Sequence, residues 1–141
     1  MSVTRSARTR WTGDLQGGDG LTSFLSSGLP DTAVTWASRA NEPAGKTSPE
    51  ELIAAAHASC YSMALSAGLG KAGHTADEIV TEASVDFKPG TGITGIALTV
   101  HATVPGIGAE EFDRIAASTK EECPVSQALK AVPISLEATL R

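Results

Sequence analysis

A chain of 141 residues has room for one domain with a substantial core, residues 1–141, and none for a separate nucleotide-binding domain, so any redox cofactor would be external. Eleven Lys and Arg against sixteen Asp and Glu leave a formal charge of −5, which argues against nucleic acid or an anionic membrane surface as partner and for small molecules or proteins. The opening stretch MSVTRSARTRW carries arginines with no apolar block behind them, unlike a secretory signal, and the expected compartment is the cytoplasm.

From Arg8 to Leu25 the order is strand, turn, strand. Trp11 and Leu15 lead into Gly17-Gly18-Asp19-Gly20, a hairpin turn rather than a phosphate loop, since no G-x-x-x-x-G-K-[ST] spacing is present. Ala33 to Ala40 is expected to be a third extended segment that delivers Arg39 to a sheet surface or rim. Lys46 to Leu69 is the strongest signal in the chain. Ser48 suits the N-cap, Pro49 the first helical position, and Glu51 completes a capping box. The helix that follows is apolar on nearly every face, so it should lie inside the molecule or an interface, and it should stop near Gly68 or Gly70. His57, Ser59 and Ser62 break its apolar run well short of a membrane span.

Two alternating segments, Ile79 to Phe87 and Ile96 to Val104, read as half-buried strands closed into an antiparallel hairpin by Lys88-Pro89-Gly90-Thr91-Gly92. Ala109 to Glu121 follows as a helix with Phe112, Ile115, Ala116 and Thr119 on one stripe. Cys123 stands where that helix stops, Pro124 to Lys130 suits a short second helix, and Val132 to Leu140 alternates as a last strand. The sum is α+β, with helices packed on antiparallel sheet.

Cys60, inside the central helix, and Cys123, at a helix junction, are the two cysteines. In a reducing compartment they do not form a structural disulfide, so if they pair, they pair during chemistry. Three readings stay open on the residues alone. The thiols are packing residues of a small-molecule or lipid-binding protein. With His57 and either His74 or His101 they are metal ligands, although no compact ligand spacing marks such a site. Or they are a redox pair, which requires a thiolate stabilised by a cation or a helix N-terminus and a second thiol within reach. Cys123 has the helix-start setting; Cys60, in mid-helix, would need a side-chain cation. No His–Asn or His–Asp partner set marks a cysteine protease.

The stretch SPEELIAAAHASCYSMALSAGLGKAG, followed 63 residues after its cysteine by that of CPVSQALKA, closely resembles the OsmC/Ohr family of osmotically inducible and organic-hydroperoxide-resistance proteins. RWTGDL near the start and VPGIGAEEFDRIA before the second cysteine extend the resemblance through essentially the whole chain. It implies a thiol-dependent peroxidase on an α+β fold, found as an intertwined homodimer, with no resident cofactor or metal. By that resemblance Cys60 is the peroxidatic cysteine, oxidised to a sulfenic acid by an organic hydroperoxide. Cys123 resolves it as a disulfide, and an external dithiol, typically a lipoyl group or lipoylated protein, reduces that disulfide. The family's glutamate matches Glu50. Its arginine matches Arg39, where the OsmC branch places it, with Arg10 as the fallback, because Gly17-Gly18 lacks the arginine of the Ohr branch. Ser48 and Tyr61 replace residues that are often Asn and Phe in relatives. A continuous helix would put Glu50 roughly 15 Å along the axis from Cys60, so the expectation is a dimer in which one protomer's Glu50, and Arg39 with it, serves its partner's Cys60.

Overall fold

The computed structural model describes residues 1–141, which fall into two compact units, Met1–Leu52 and Ile53–Arg141. In the first unit, β1 (Arg8–Thr12), β2 (Asp19–Ser23) and β3 (Thr32–Val34) form an antiparallel sheet in that order. The β1–β2 turn depends on Gly18, because a Cβ there would collide with the backbone carbonyls of Asp14 and Thr12.

The third segment departs from the extended reading after Val34. Trp36–Ala40 is a short helix, α1, with Thr35 as its N-cap. Thr35 Oγ1 accepts from the Ser38 amide at 3.0 Å, and Ser38 Oγ accepts from the Thr35 amide at 2.9 Å, a complete capping box. That reciprocal cap outweighs the apparent alternation of five residues too few to show a helical period. Arg39 therefore projects from a helix rather than from a strand.

Helix α2 (Pro49–Lys71) begins as the cap residues require, with the Glu51 amide donating to Ser48 Oγ at 3.1 Å. The Glu51 carboxylate accepts from Thr47 Oγ1 at 2.6 Å instead of reaching back to the Ser48 amide, so only half of the capping box forms. The helix ends at Lys71, one residue past Gly70 and close to the expected stop. Gly68 serves packing: a Cβ there would lie 3.2 Å from Ile115 Cγ2. Gly73, at φ +86°, supplies the left-handed residue just after the end, and the His74 amide closes on the Leu69 carbonyl at 2.9 Å.

The second unit is built on β4 (Glu78–Lys88) and β5 (Gly92–Thr103), the antiparallel hairpin that the alternation requires, with a register shift at Asp86/Phe87. Helices α3 (Ala109–Glu122) and α4 (Pro124–Ala128) then carry the chain to β6 (Ile134–Leu140). β6 pairs with β5 in parallel, so this sheet is mixed rather than wholly antiparallel. A helical crossover, unlike a tight turn, returns the chain in its original direction.

The core of this unit combines three elements and the second cysteine. Tyr61, Leu65 and Leu69 come from α2, Leu98, Val100 and Ala102 from β5, and Phe112, Ile115 and Ala116 from α3, with Cys123 fully buried among them. On α2, His57, Tyr61, Leu65 and Leu69 recur every fourth residue and none has exposed surface. The Tyr61 hydroxyl donates to the Ala116 carbonyl at 2.9 Å, tying α2 to α3 with a buried hydrogen bond of the kind that contributes about 1 kcal/mol. By length and composition α2 does reach what a membrane span needs, contrary to the expectation of a shorter apolar run. Its opposite face is uncovered, with Ala55, Ala56, Ala67 and a 67% exposed Met63.

Candidate active site

The four residues singled out in the sequence form two pairs, one in each unit. In the first unit α1 aims Arg39 at Glu50, in the first turn of α2. Arg39 Nε donates to Glu50 Oε1 at 3.0 Å and Oε2 at 3.2 Å, and Nη2 donates to Oε1 at 2.8 Å. Glu50 is nearly buried while the Arg39 side chain keeps 31% of its surface. The planar fork is thus fixed on one edge by a carboxylate, a geometry that a point-charge ammonium cannot reproduce. Arg39 also borders an apolar cavity of about 330 Å³ within this unit, lined by Trp11, Leu15, Val34, Trp36 and Leu52.

In the second unit α2 carries Cys60, half-buried, and the α3–α4 junction carries Cys123, buried; both are free thiols. Cys123 ends α3 and starts α4, with φ −54° and ψ 125°, since Pro124 disfavours a helical conformation in the residue before it. Its thiol donates to Cys60 Sγ across 3.3 Å. Two sulfurs at that separation need to close by little more than 1 Å to reach the ~2.05 Å of a disulfide.

Burial pushes the Cys60 thiol above its ordinary range, the neighbouring Cys123 adds to the rise, and a hydrogen bond from the Val125 backbone opposes it. This corrects one expectation. Cys60, expected in mid-helix to have no free N–H, is supported by the backbone of Val125 at the start of α4. Pro124 at the first helical position leaves the next amide without an intrahelical acceptor, and that amide belongs to Val125. None of the influences acting on Cys60 is a cation.

Sequence reasoning overlooked Ser126. His57 Nε2 and Ser126 Oγ lie 2.7 Å apart in a buried hydrogen bond between α2 and α4. Burial lowers the pKa of His57, and its Nδ1 has no partner. His57 is therefore a buried histidine engaged through one nitrogen, and no three His, Cys, Asp or Glu side chains converge as metal ligands. His74 Nε2 instead lies 3.3 Å from Glu111 Oε2. The signal for Ser126 lay in its position, one turn into a short helix that begins at a cysteine.

A family model described as OsmC-like protein matches residues 42–137. The chain is 43% identical over 144 aligned positions to peroxiredoxin OsmC of Escherichia coli strain K12, covering 100% of this chain and 99% of that one. The same identity and coverage hold for peroxiredoxin OsmC of Shigella flexneri. Among solved structures, an OsmC-like protein of Mycoplasma pneumoniae superposes with a TM-score of 0.75 at 13% identity, covering 99% of both chains. The organic hydroperoxide resistance protein OhrB of Bacillus subtilis gives 0.67 at 23% identity, covering 95% of this chain and 98% of that one. With its paired thiols and this full-length likeness, the chain is a cysteine-based peroxidase. It belongs to the OsmC family.

Proposed function

We propose that the protein reduces organic hydroperoxides to alcohols, with Cys60 as the peroxidatic thiol and Cys123 as the resolving thiol. The observation that carries this reading is the 3.3 Å separation of the two reduced sulfurs. Cys60, the more exposed of the two, attacks the terminal peroxide oxygen as thiolate. The O–O bond breaks, the alcohol leaves with a proton, and Cys60 becomes a sulfenic acid. Cys123 then displaces hydroxide from that sulfur, forming the disulfide and water, and an external dithiol such as a lipoyl group reduces it by exchange. The names of the relatives, a peroxiredoxin and an organic hydroperoxide resistance protein, support the same reaction class.

The site is completed in a homodimer, where Arg39 and Glu50 of one protomer serve the other's Cys60. Three observations support this arrangement. Cys60 has a raised pKa with no cation among its influences. Glu50 and Cys60 lie ten residues apart on an unbroken α2. The face of α2 bearing Met63 is uncovered, with Met63 exposed among small residues (Ala56, Ser59, Ser66, Ala67). In that role Arg39 stabilises the thiolate and binds the peroxide oxygens, while Glu50 holds the guanidinium. Residues 1–141 act as one OsmC-like domain, and free thiols of this kind suit a reducing cytoplasm.

The apolar cavity beside Arg39 takes the alkyl tail. Each buried methylene contributes ~0.8 kcal/mol, about fourfold in kcat/KM. Steady-state assays with dihydrolipoamide should therefore show kcat/KM climbing from hydrogen peroxide through tert-butyl to cumene hydroperoxide. A flat or inverted series would remove the cavity from substrate binding. Replacing dihydrolipoamide with glutathione or thioredoxin in the same assay identifies the reductant.

A further inference from the structure

Cys123 occupies the joint between two helices, and α4 beyond it has five residues, too few to hold a place by its own hydrogen bonds. Its position must come from tertiary anchors. Two side chains of α2 flank Cys60 in sequence and fasten the two sides of the joint. Tyr61 holds α3 through the Ala116 carbonyl at 2.9 Å, and His57 holds α4 through Ser126 at 2.7 Å. His57 is fully buried and Ser126 is 4% exposed. A fully buried imidazole with one unpartnered nitrogen is a poor choice for filling space, since an apolar side chain would carry no desolvation cost. What the imidazole supplies that leucine cannot is the bond to Ser126.

We propose that His57, acting through Ser126, is a positioning residue for disulfide formation, holding Cys123 so close to Cys60 that resolution outruns further oxidation. The inference rests on the assignment of Cys60 and Cys123 given above. Two fates diverge from the Cys60 sulfenic acid. In one, the Cys123 sulfur attacks, the S–S bond forms, the S–O bond breaks and water leaves. In the other, a second hydroperoxide gives up an oxygen to the same sulfur, its O–O bond breaks, an alcohol leaves and a sulfinic acid remains. The ratio of these products is independent of how fast the sulfenic acid formed, so it isolates the placement of Cys123.

The test uses the full chain, Ser126→Ala, His57→Leu and His57→Gln, each treated with the same excess of cumene hydroperoxide without reductant, well below its unfolding temperature. Intact-mass measurement then separates loss of two hydrogens from gain of two oxygens. Ser126→Ala and His57→Leu should raise the sulfinic-to-disulfide ratio about five- to tenfold, the scale of one lost buried hydrogen bond. His57→Gln, whose amide nitrogen can take the place of Nε2, should return the ratio towards wild type. An unchanged ratio in Ser126→Ala, or a His57→Gln ratio no better than that of His57→Leu, would overturn the inference. Wild-type protein that forms no disulfide would instead overturn the assignment of the thiol pair.

Discussion

Cys60→Ser should eliminate hydroperoxide turnover, a loss of at least about 10⁴-fold on the scale seen when a catalytic nucleophile is removed. Cys123→Ser should behave differently. The proposed peroxidatic thiol, Cys60, remains, so a rapid-mixing experiment should show one equivalent of cumene hydroperoxide consumed per chain, followed by little or no dithiol-driven turnover. The contrast follows from the proposed roles, since Cys123 is fully buried and its sulfur lies 3.3 Å from that of the more exposed Cys60. Equal and complete loss of the first equivalent in both variants would contradict the division of roles. A Cys60→Ser protein that still turned over would contradict the mechanism altogether.

Arg39→Lys should lower kcat/KM for organic hydroperoxides by about 10²- to 10³-fold, the range for removing a fixed donor from a site of developing charge. Lysine preserves the positive charge beside a nearly buried Glu50, so the substitution avoids the large penalty of leaving that carboxylate unpaired. What it loses is the fork, which presents one edge to Glu50 through Nε and Nη2. Glu50→Gln keeps an acceptor oxygen but loses the charge, and should cost roughly tenfold, about 1.4 kcal/mol. If Glu50 acts by holding Arg39, the double variant should be little worse than Arg39→Lys alone. Additive losses would mean that the two side chains act separately, and an unimpaired Arg39→Lys would remove the guanidinium from the chemistry.

The features legible in the sequence are those encoded locally. Ser48, Pro49 and Glu51 announce the start of α2, and strict alternation marks β4, β5 and β6. The stripe of Phe112, Ile115, Ala116 and Thr119 identifies the buried face of α3. The features that escaped depend on partners distant in the chain or on segments too short for a period. Helix α1 has five residues and is set by the reciprocal cap of Thr35 and Ser38. The parallel placement of β6 is decided by where α3 and α4 pack, which alternation cannot report.

The candidate site divides in the same way. Cys60 and Cys123 stand out by residue type, and Arg39 and Glu50 by the family pattern. Their surroundings do not. The Val125 amide that supports Cys60 and the Ser126 hydroxyl that engages His57 become partners only when α4 folds against α2. A backbone amide has no residue identity to read. A serine near the start of a short helix shows where it sits in the chain, but which partner it meets is fixed only when α4 is placed against α2.

The proposed peroxidase cycle depends on the two thiols being joined by peroxide. The direct measurement is to treat fully reduced protein with one equivalent of cumene hydroperoxide, then determine the intact mass, the free-thiol content and the cysteine-containing peptides. The predicted result is loss of two hydrogens per chain, disappearance of both free thiols and a peptide pair linked through Cys60 and Cys123. An unchanged mass with both thiols still titratable would contradict it.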